Sequence, residues 1–177
     1  MRLVLSLAVV LALSAGALSM HRAVNQSDSS QESELKAMPA ISLQDMDGKS
    51  IKVDQFKNSV VVFDFWATWC GPCITEIPFL NRLQEKYKDR GVQVVGVTLA
   101  SGDAGEVKPF VNRFKMAYPV LMGNDDQAYE LNIMGFPTTY IVDRDGKVFQ
   151  KYVGSGPSKA QRMESDIQRL LELKPQH

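Results

Sequence analysis

The sequence predicts an α/β fold, a mixed central sheet with helices on both faces. Three observations predict it. From Val60 the chain is apolar through Trp66 except at Asp64, which suits a strand covered on both faces. Directly afterwards Ile74, Ile77, Leu80, Leu83 and Tyr87 recur at helical spacing. A second apolar run, residues 92–99, follows Gly91. Strand, helix and strand in that order form a β-α-β unit, whose apolar sheet faces must be covered by helices.

The N-terminus reads differently. Met1-Arg2 is a minimal positive region, and residues 3–20 are apolar or small and carry no charge. A secretory apolar core runs about 7–15 residues and a membrane span about 20, so this run lies between them. Ala15-Gly16-Ala17 and Ala17-Leu18-Ser19 both offer small-residue cleavage patterns, whereas no cysteine follows the run to take a lipid. Residues 1–20 are therefore expected to be a signal peptide or an N-terminal membrane anchor. Residues 21–37, rich in Ser, Gln, Asp, Glu and Asn, are expected to be a flexible polar linker. Residues 38–174 remain for one folded domain, a reasonable size for the 177-residue chain. The formal charge is zero and no basic stripe interleaves with aromatics, so nucleic acid is not an expected partner.

Within the domain, Ile41 and Leu43 alternate with polar residues, Asp47-Gly48 signals a turn, and Ile51 and Val53 alternate again. That pattern is a small β-hairpin ahead of the main sheet. After the second buried strand, residues 101–105 form a loop, and Val107, Phe110, Val111 and Phe114 mark one face of a helix. Residues 118–122 suit a short strand. Asp125 or Asp126 can cap a short helix ending near Leu131. Phe136-Pro137 opens a strand over 138–142, and Asp145-Gly146 turns the chain into a last strand over 147–153. Ser158 and Gln161 have capping-box spacing for a final helix, with Ala160, Met163, Ile167, Leu170 and Leu171 facing the core.

The chemistry gathers between the first strand and its helix. Cys70-Gly71-Pro72-Cys73 holds the only two cysteines. Gly71 lets the chain turn, and Pro72 supplies a helical φ without wasting a first-turn hydrogen bond. Cys70 thus sits at a helix N-terminus, where free N–H groups and the dipole favour a thiolate. Cys73, nearly one turn further in, is expected to keep its proton until a base removes it. A structural zinc site needs four ligands, and only His21 and His177 accompany the cysteines. A merely structural disulfide across so short a loop would stabilise little. Disulfide exchange is the chemistry left: one sulfur attacks, the other resolves.

Asp64-Phe65-Trp66-Ala67, Trp69 and Cys70-Gly71-Pro72-Cys73 resemble the active-site segment of thioredoxin. Glu76, three residues after Cys73, and the run 135–148 resemble the extracytoplasmic thioredoxin-like reductases of the TlpA/ResA type. The resemblance spans about 40–173. It implies a thioredoxin fold with an N-terminal β-hairpin and an inserted helix, and a thiol:disulfide oxidoreductase acting as a reductant. It also implies a cis Pro137 lying against the cysteines, and a Phe136 backbone that pairs with an extended substrate covered by Trp69. Expected substrates are disulfide-containing exported proteins, for example in cytochrome c maturation, with a membrane thiol-disulfide protein as electron donor. The expected location is the periplasm or the outer face of the inner membrane, and the expected state a monomer. No cofactor or metal is called for.

Two carboxylates compete for the proton of Cys73. Asp64 is the one charge in an apolar strand, where burial would raise its pKa and fit it to act as base. Glu76 lies on the Cys73 side of the helix, and the resemblance gives it a part in tuning the dithiol and shaping the substrate groove. It could equally be a first-turn glutamate favoured by the dipole. Two other functions use the same fold. A peroxiredoxin-like peroxidase would need a peroxidatic cysteine in a different loop. A copper-delivery module would need more ligands and longer Cys spacing.

Overall fold

The computed structural model describes residues 36–173. The expected leader and most of the expected linker lie outside the described residues. The linker's last two positions, however, are paired. Lys36 O accepts from Val148 N, and Ala37 bridges Lys147. Paired backbone thus begins before residue 38.

Among the described residues seven strands form one mixed sheet. In chain order they are β1 (Ser42–Asp45), β2 (Ser50–Lys52), β3 (Val60–Trp66), β4 (Val92–Thr98), β5 (Val120–Met122), β6 (Thr138–Val142) and β7 (Val148–Val153). Their spatial order is β2-β1-β5-β4-β3-β6-β7. β3 is central. It runs parallel to β4 and antiparallel to β6, and all seven of its residues are buried. The hairpin does not stand apart from the sheet. β1 pairs antiparallel with β5 through Gln44↔Met122 and Asp45↔Leu121, so the hairpin extends one edge. Its turn is held by the Asp45 carboxylate, which accepts from the N–H groups of Asp47 and Lys49. Gly48 there adopts φ 85, which glycine reaches without steric cost.

The helices are α1 (Gly71–Tyr87), α2 (Ala104–Arg113), α3 (Asp125–Glu130) and α4 (Pro157–Glu172). Leu80, Leu83 and Tyr87 of α1 and Met163, Ile167 and Leu170 of α4 cluster with Val60, Val62 and Ile141 on one face of the sheet. On the other face Val61, Phe63 and Phe65 cluster with Leu131 and Ala128 from the α3 region and with Val53 and Phe56. Alternate residues of β3 thus feed opposite cores, as the strand period requires. Full burial of a side chain such as Leu80 contributes about 2 kcal/mol. α2 brings Val107 and Phe110 against Trp66 and both cysteines, and the Phe110 and Trp66 rings stack at 5.0 Å.

Two caps differ from expectation. The α3 cap is Asn124, not Asp125 or Asp126. Its side chain accepts from Gln127 N, and the Gln127 side chain answers the Asn124 N–H. Only Asn124 has a reciprocal partner three residues on, which completes a capping box. For α4 the cap is Gly156, with no side-chain bond, and the Ser158–Gln161 box does not form. Pro157, with its helix-ready φ, starts the helix two residues earlier than a Ser158 cap would. Ser158 is then already inside the first turn.

Candidate active site

β3 ends at Trp66, and a four-residue passage leads to α1. Two bonds tie that passage to the chain after β4: Thr68 N donates to Ser101 Oγ at 3.0 Å, and Trp69 Nε1 donates to the Ala100 carbonyl at 2.8 Å. Cys70 is the N-cap of α1, and Pro72 lies in the first turn. Cys70 and Cys73 are joined as a disulfide, with Cα atoms 5.3 Å apart. Cys73 N donates to Cys70 Sγ at 3.2 Å, so the first turn of the helix points a donor at that sulfur. In this oxidised form both cysteines are covered, at 4% and 3% exposure. The difference between them lies in the hydrogen bond rather than in exposure. Gly71 and Pro72 are exposed on the outer side of the turn.

Glu76 shares the buried stripe of α1 with Cys73 and belongs to a buried polar group of four residues. Asp64 pairs in register with Thr139 of β6, whose Oγ1 donates to Asp64 Oδ1 at 3.0 Å. On the other side Asp64 faces Gly96 of β4. Burial, with the charge of Glu76, raises the Asp64 pKa to about 7, against the pull of Lys159 and Thr139. Glu76 is buried too, and burial raises its pKa while Lys159 draws it back toward the charged form. Lys159 Nζ lies 2.8 Å from Glu76 Oε1 and 2.9 Å from Oε2, and it is itself 3% exposed.

The rim is aromatic. Trp69 is 67% exposed and meets Phe136 edge to face, with ring centroids 5.6 Å apart. Phe136 also packs on the cluster that contains both cysteines. The Phe136–Pro137 peptide is cis, and Pro137 is buried.

The structure therefore brings the covered Cys70 and Cys73 against Phe136, which meets the exposed Trp69, and brings Asp64 and Glu76 into one buried group. Glu76 is not a solvated first-turn glutamate. It joins Cys73, Ile77 and Leu80 on the buried stripe of α1. Sequence reasoning missed Lys159. A signal for it existed, because Lys159 stands four residues before Met163 on the stripe that continues to Ile167 and Leu170. It also missed Ser101 and Ala100, which anchor the approach to Cys70. Among the described residues no group of three or more His, Cys, Asp or Glu side chains is placed to hold a metal ion.

Comparison with known proteins agrees with this geometry. The Redoxin family matches residues 33–171. The thiol-disulfide oxidoreductase ResA of Bacillus thuringiensis subsp. konkukian is 34% identical over 67% of this chain and 69% of that protein. The thioredoxin-like protein YneN of Bacillus subtilis is 32% identical over 73% and 76%. A crystal structure of a thiol:disulfide interchange protein of the thioredoxin family from Chlorobium tepidum superposes with TM-score 0.68 at 26% identity, over 79% of this chain and 99% of that one. With a thioredoxin-like sheet, a disulfide at the head of α1 and these relatives, the chain belongs to the Redoxin family of the thioredoxin superfamily and is a ResA-type thiol-disulfide oxidoreductase.

Proposed function

We propose that this oxidoreductase works as an exported reductant of disulfides in extracytoplasmic proteins, such as those met in cytochrome c maturation. A membrane thiol-disulfide protein would return it to the dithiol form. The observation that carries the reading is the buried acid group of Asp64 and of Glu76, which shares the inner stripe of α1 with Cys73. When Asp64 is ionised, two carboxylates face one ammonium. A net negative surrounding disfavours thiolate accumulation in the reduced pair and favours handing its electrons to a substrate. The Gly71-Pro72 dipeptide, through its resemblance to reducing thioredoxins, supports the same direction. The uncharged, apolar run of residues 3–20 supports export.

The steps follow from the geometry. Cys70, as thiolate, attacks one sulfur of the substrate disulfide. A Cys70–substrate bond forms, the substrate S–S bond breaks, and the first substrate sulfur leaves as thiolate. Helix-end donors such as Cys73 N favour the thiolate form of Cys70. Cys73 then gives its proton to a carboxylate and attacks Cys70 Sγ. The Cys70–Cys73 bond forms, the mixed disulfide breaks, and the second substrate sulfur leaves. Two electrons have passed to the substrate and the enzyme is oxidised. Asp64 is the base we favour for Cys73, because burial places its titration near neutrality. Trp69, Gly71, Pro72, Phe136 and Pro137 would form the surface on which the substrate segment lies.

Cys73→Ser tests the whole reading, since it leaves Cys70 able to attack and unable to resolve. Expressed in the native cell, it should accumulate mixed disulfides with exported cysteine proteins, in a fraction outside the cytoplasm. An unprocessed cytosolic pool linked only to cytosolic proteins would sink the export reading.

A further inference from the structure

Lys159 has no part in the exchange steps above, yet it is as buried as the cysteines. It comes from α4, 83 residues beyond Glu76, and its ammonium contacts both Glu76 oxygens. A lysine is almost never fully buried unless paired. As a stabilising device the pair is poor, because apolar residues of equal volume would serve as well or better. Its consequence is electrostatic. Glu76, on the buried stripe of α1 with Cys73, and Asp64 feel one cation between them, and its hydrogen bonds go to Glu76.

We propose that Lys159 is a positioning residue for the dithiol reaction: by holding both Glu76 oxygens it keeps that carboxylate charged and turned to α4, so that Asp64 alone takes the proton of Cys73. The inference rests on the reading of Asp64 given above. The groups facing Asp64 are few. Glu76 comes from α1, Lys159 from α4, and Thr139, a neutral donor, from β6. Tyr118, just before β5, has a buried hydroxyl whose ionisation is suppressed by burial and by both carboxylates. Without Lys159, Asp64 and Glu76 would compete for one proton and the proton of Cys73 would have no single destination. With Lys159 present, the transfer runs from Cys73 Sγ to the Asp64 carboxylate as the Cys70–Cys73 bond forms and the substrate thiolate departs.

The test uses carbon-13 carboxyl NMR of the oxidised protein, with the Asp64 signal assigned from Asp64→Asn. Lys159→Met keeps the alkyl stem and removes the charge. We expect its Asp64 midpoint to rise by about one pH unit, a tenfold change in ionisation. The acid limb of mixed-disulfide resolution should rise with it, while Lys159→Arg stays near wild type. Adding Glu76→Gln to Lys159→Met should bring the midpoint back down, since no lone charge then faces Asp64. If Lys159→Met does not fold, the comparison of Glu76→Gln with the double variant replaces it, and the double variant should titrate about one unit higher. A purely structural lysine would change the melting temperature and leave these midpoints in place, and that result would overturn the proposal. If instead the midpoints move but Asp64→Asn resolves as fast as wild type, the base assignment fails and the coupling between Lys159 and Asp64 stands.

Discussion

Asp64→Asn should make the oxidised protein more stable as pH rises. The folded pKa of Asp64 is about 7, against an ordinary value of 3.8. A folded pKa above the unfolded one means that the native state holds its proton more tightly. Below about pH 4 both states are protonated and Asp64 costs nothing in charge. Between about pH 4 and pH 7 the unfolded chain gains by ionising while the folded chain does not, and stability falls. The gap of about three units, at about 1.4 kcal/mol per unit, sets an upper figure of about 4 kcal/mol. Relaxation around the site would leave about 2–4 kcal/mol. Asparagine keeps an oxygen for the Thr139 hydroxyl and cannot ionise. In urea unfolding at fixed ionic strength, the variant's advantage should therefore grow steadily from pH 4 to pH 8 and then level off. The same change should slow mixed-disulfide resolution by on the order of ten- to a hundred-fold, while attack by Cys70 is much less affected. An advantage that is flat or shrinks with pH would refute the burial argument. Resolution at the wild-type rate would reduce Asp64 to a packing residue.

Two further outcomes test the surroundings. Trp69→Ala removes an exposed ring that touches Phe136, so unfolding should shift by only about 0.5–1.5 kcal/mol. KM for a disulfide peptide should rise several-fold with kcat little changed, and an unchanged KM would remove Trp69 from the substrate surface. Gly96→Ala would place a methyl 3.0 Å from Trp66 Nε1 and 3.1 Å from Tyr118 Cε2. With both rings buried, the expected loss is about 1–3 kcal/mol in urea, and no loss would mean that the rings yield.

The parts legible in the sequence were those governed by local or strongly periodic signals. β3 reads directly because a strand flanked by paired neighbours and covered on both faces must be apolar throughout, and its single carboxylate then stands out. The dithiol reads because two cysteines at a strand-to-helix junction have little other use. β6 was placed to the residue, because a proline before it and the Asp145-Gly146 turn after it bound a short β-branched and apolar run. Lys159 was hidden for the opposite reason. A charge near a helix start is usually solvated, and its partner lies on another helix far away in sequence. Glu76 was ambiguous until α1 was seen to turn it inward beside Ile77. The cap of α3 was readable in principle, since Asn124 and Gln127 have the reciprocal spacing. The α4 box failed because proline's preset φ outweighed a side-chain pattern.

The bridge from Ala37 to Lys147 fixes where the chain enters the domain. Lys36 meets Val148 at the start of β7, beside Val142 at the end of β6, whereas Thr138 and Val153 pair at the other end of those strands. The disulfide follows the C-terminal end of β3, and Phe65 there pairs with Thr138. A seven-residue strand such as β3 is about 20 Å long. Anything that ties residues before 36 to a surface therefore pulls on the pole of the sheet away from the sulfurs. The dithiol end lies at the opposite pole, clear of the point where the chain enters the sheet.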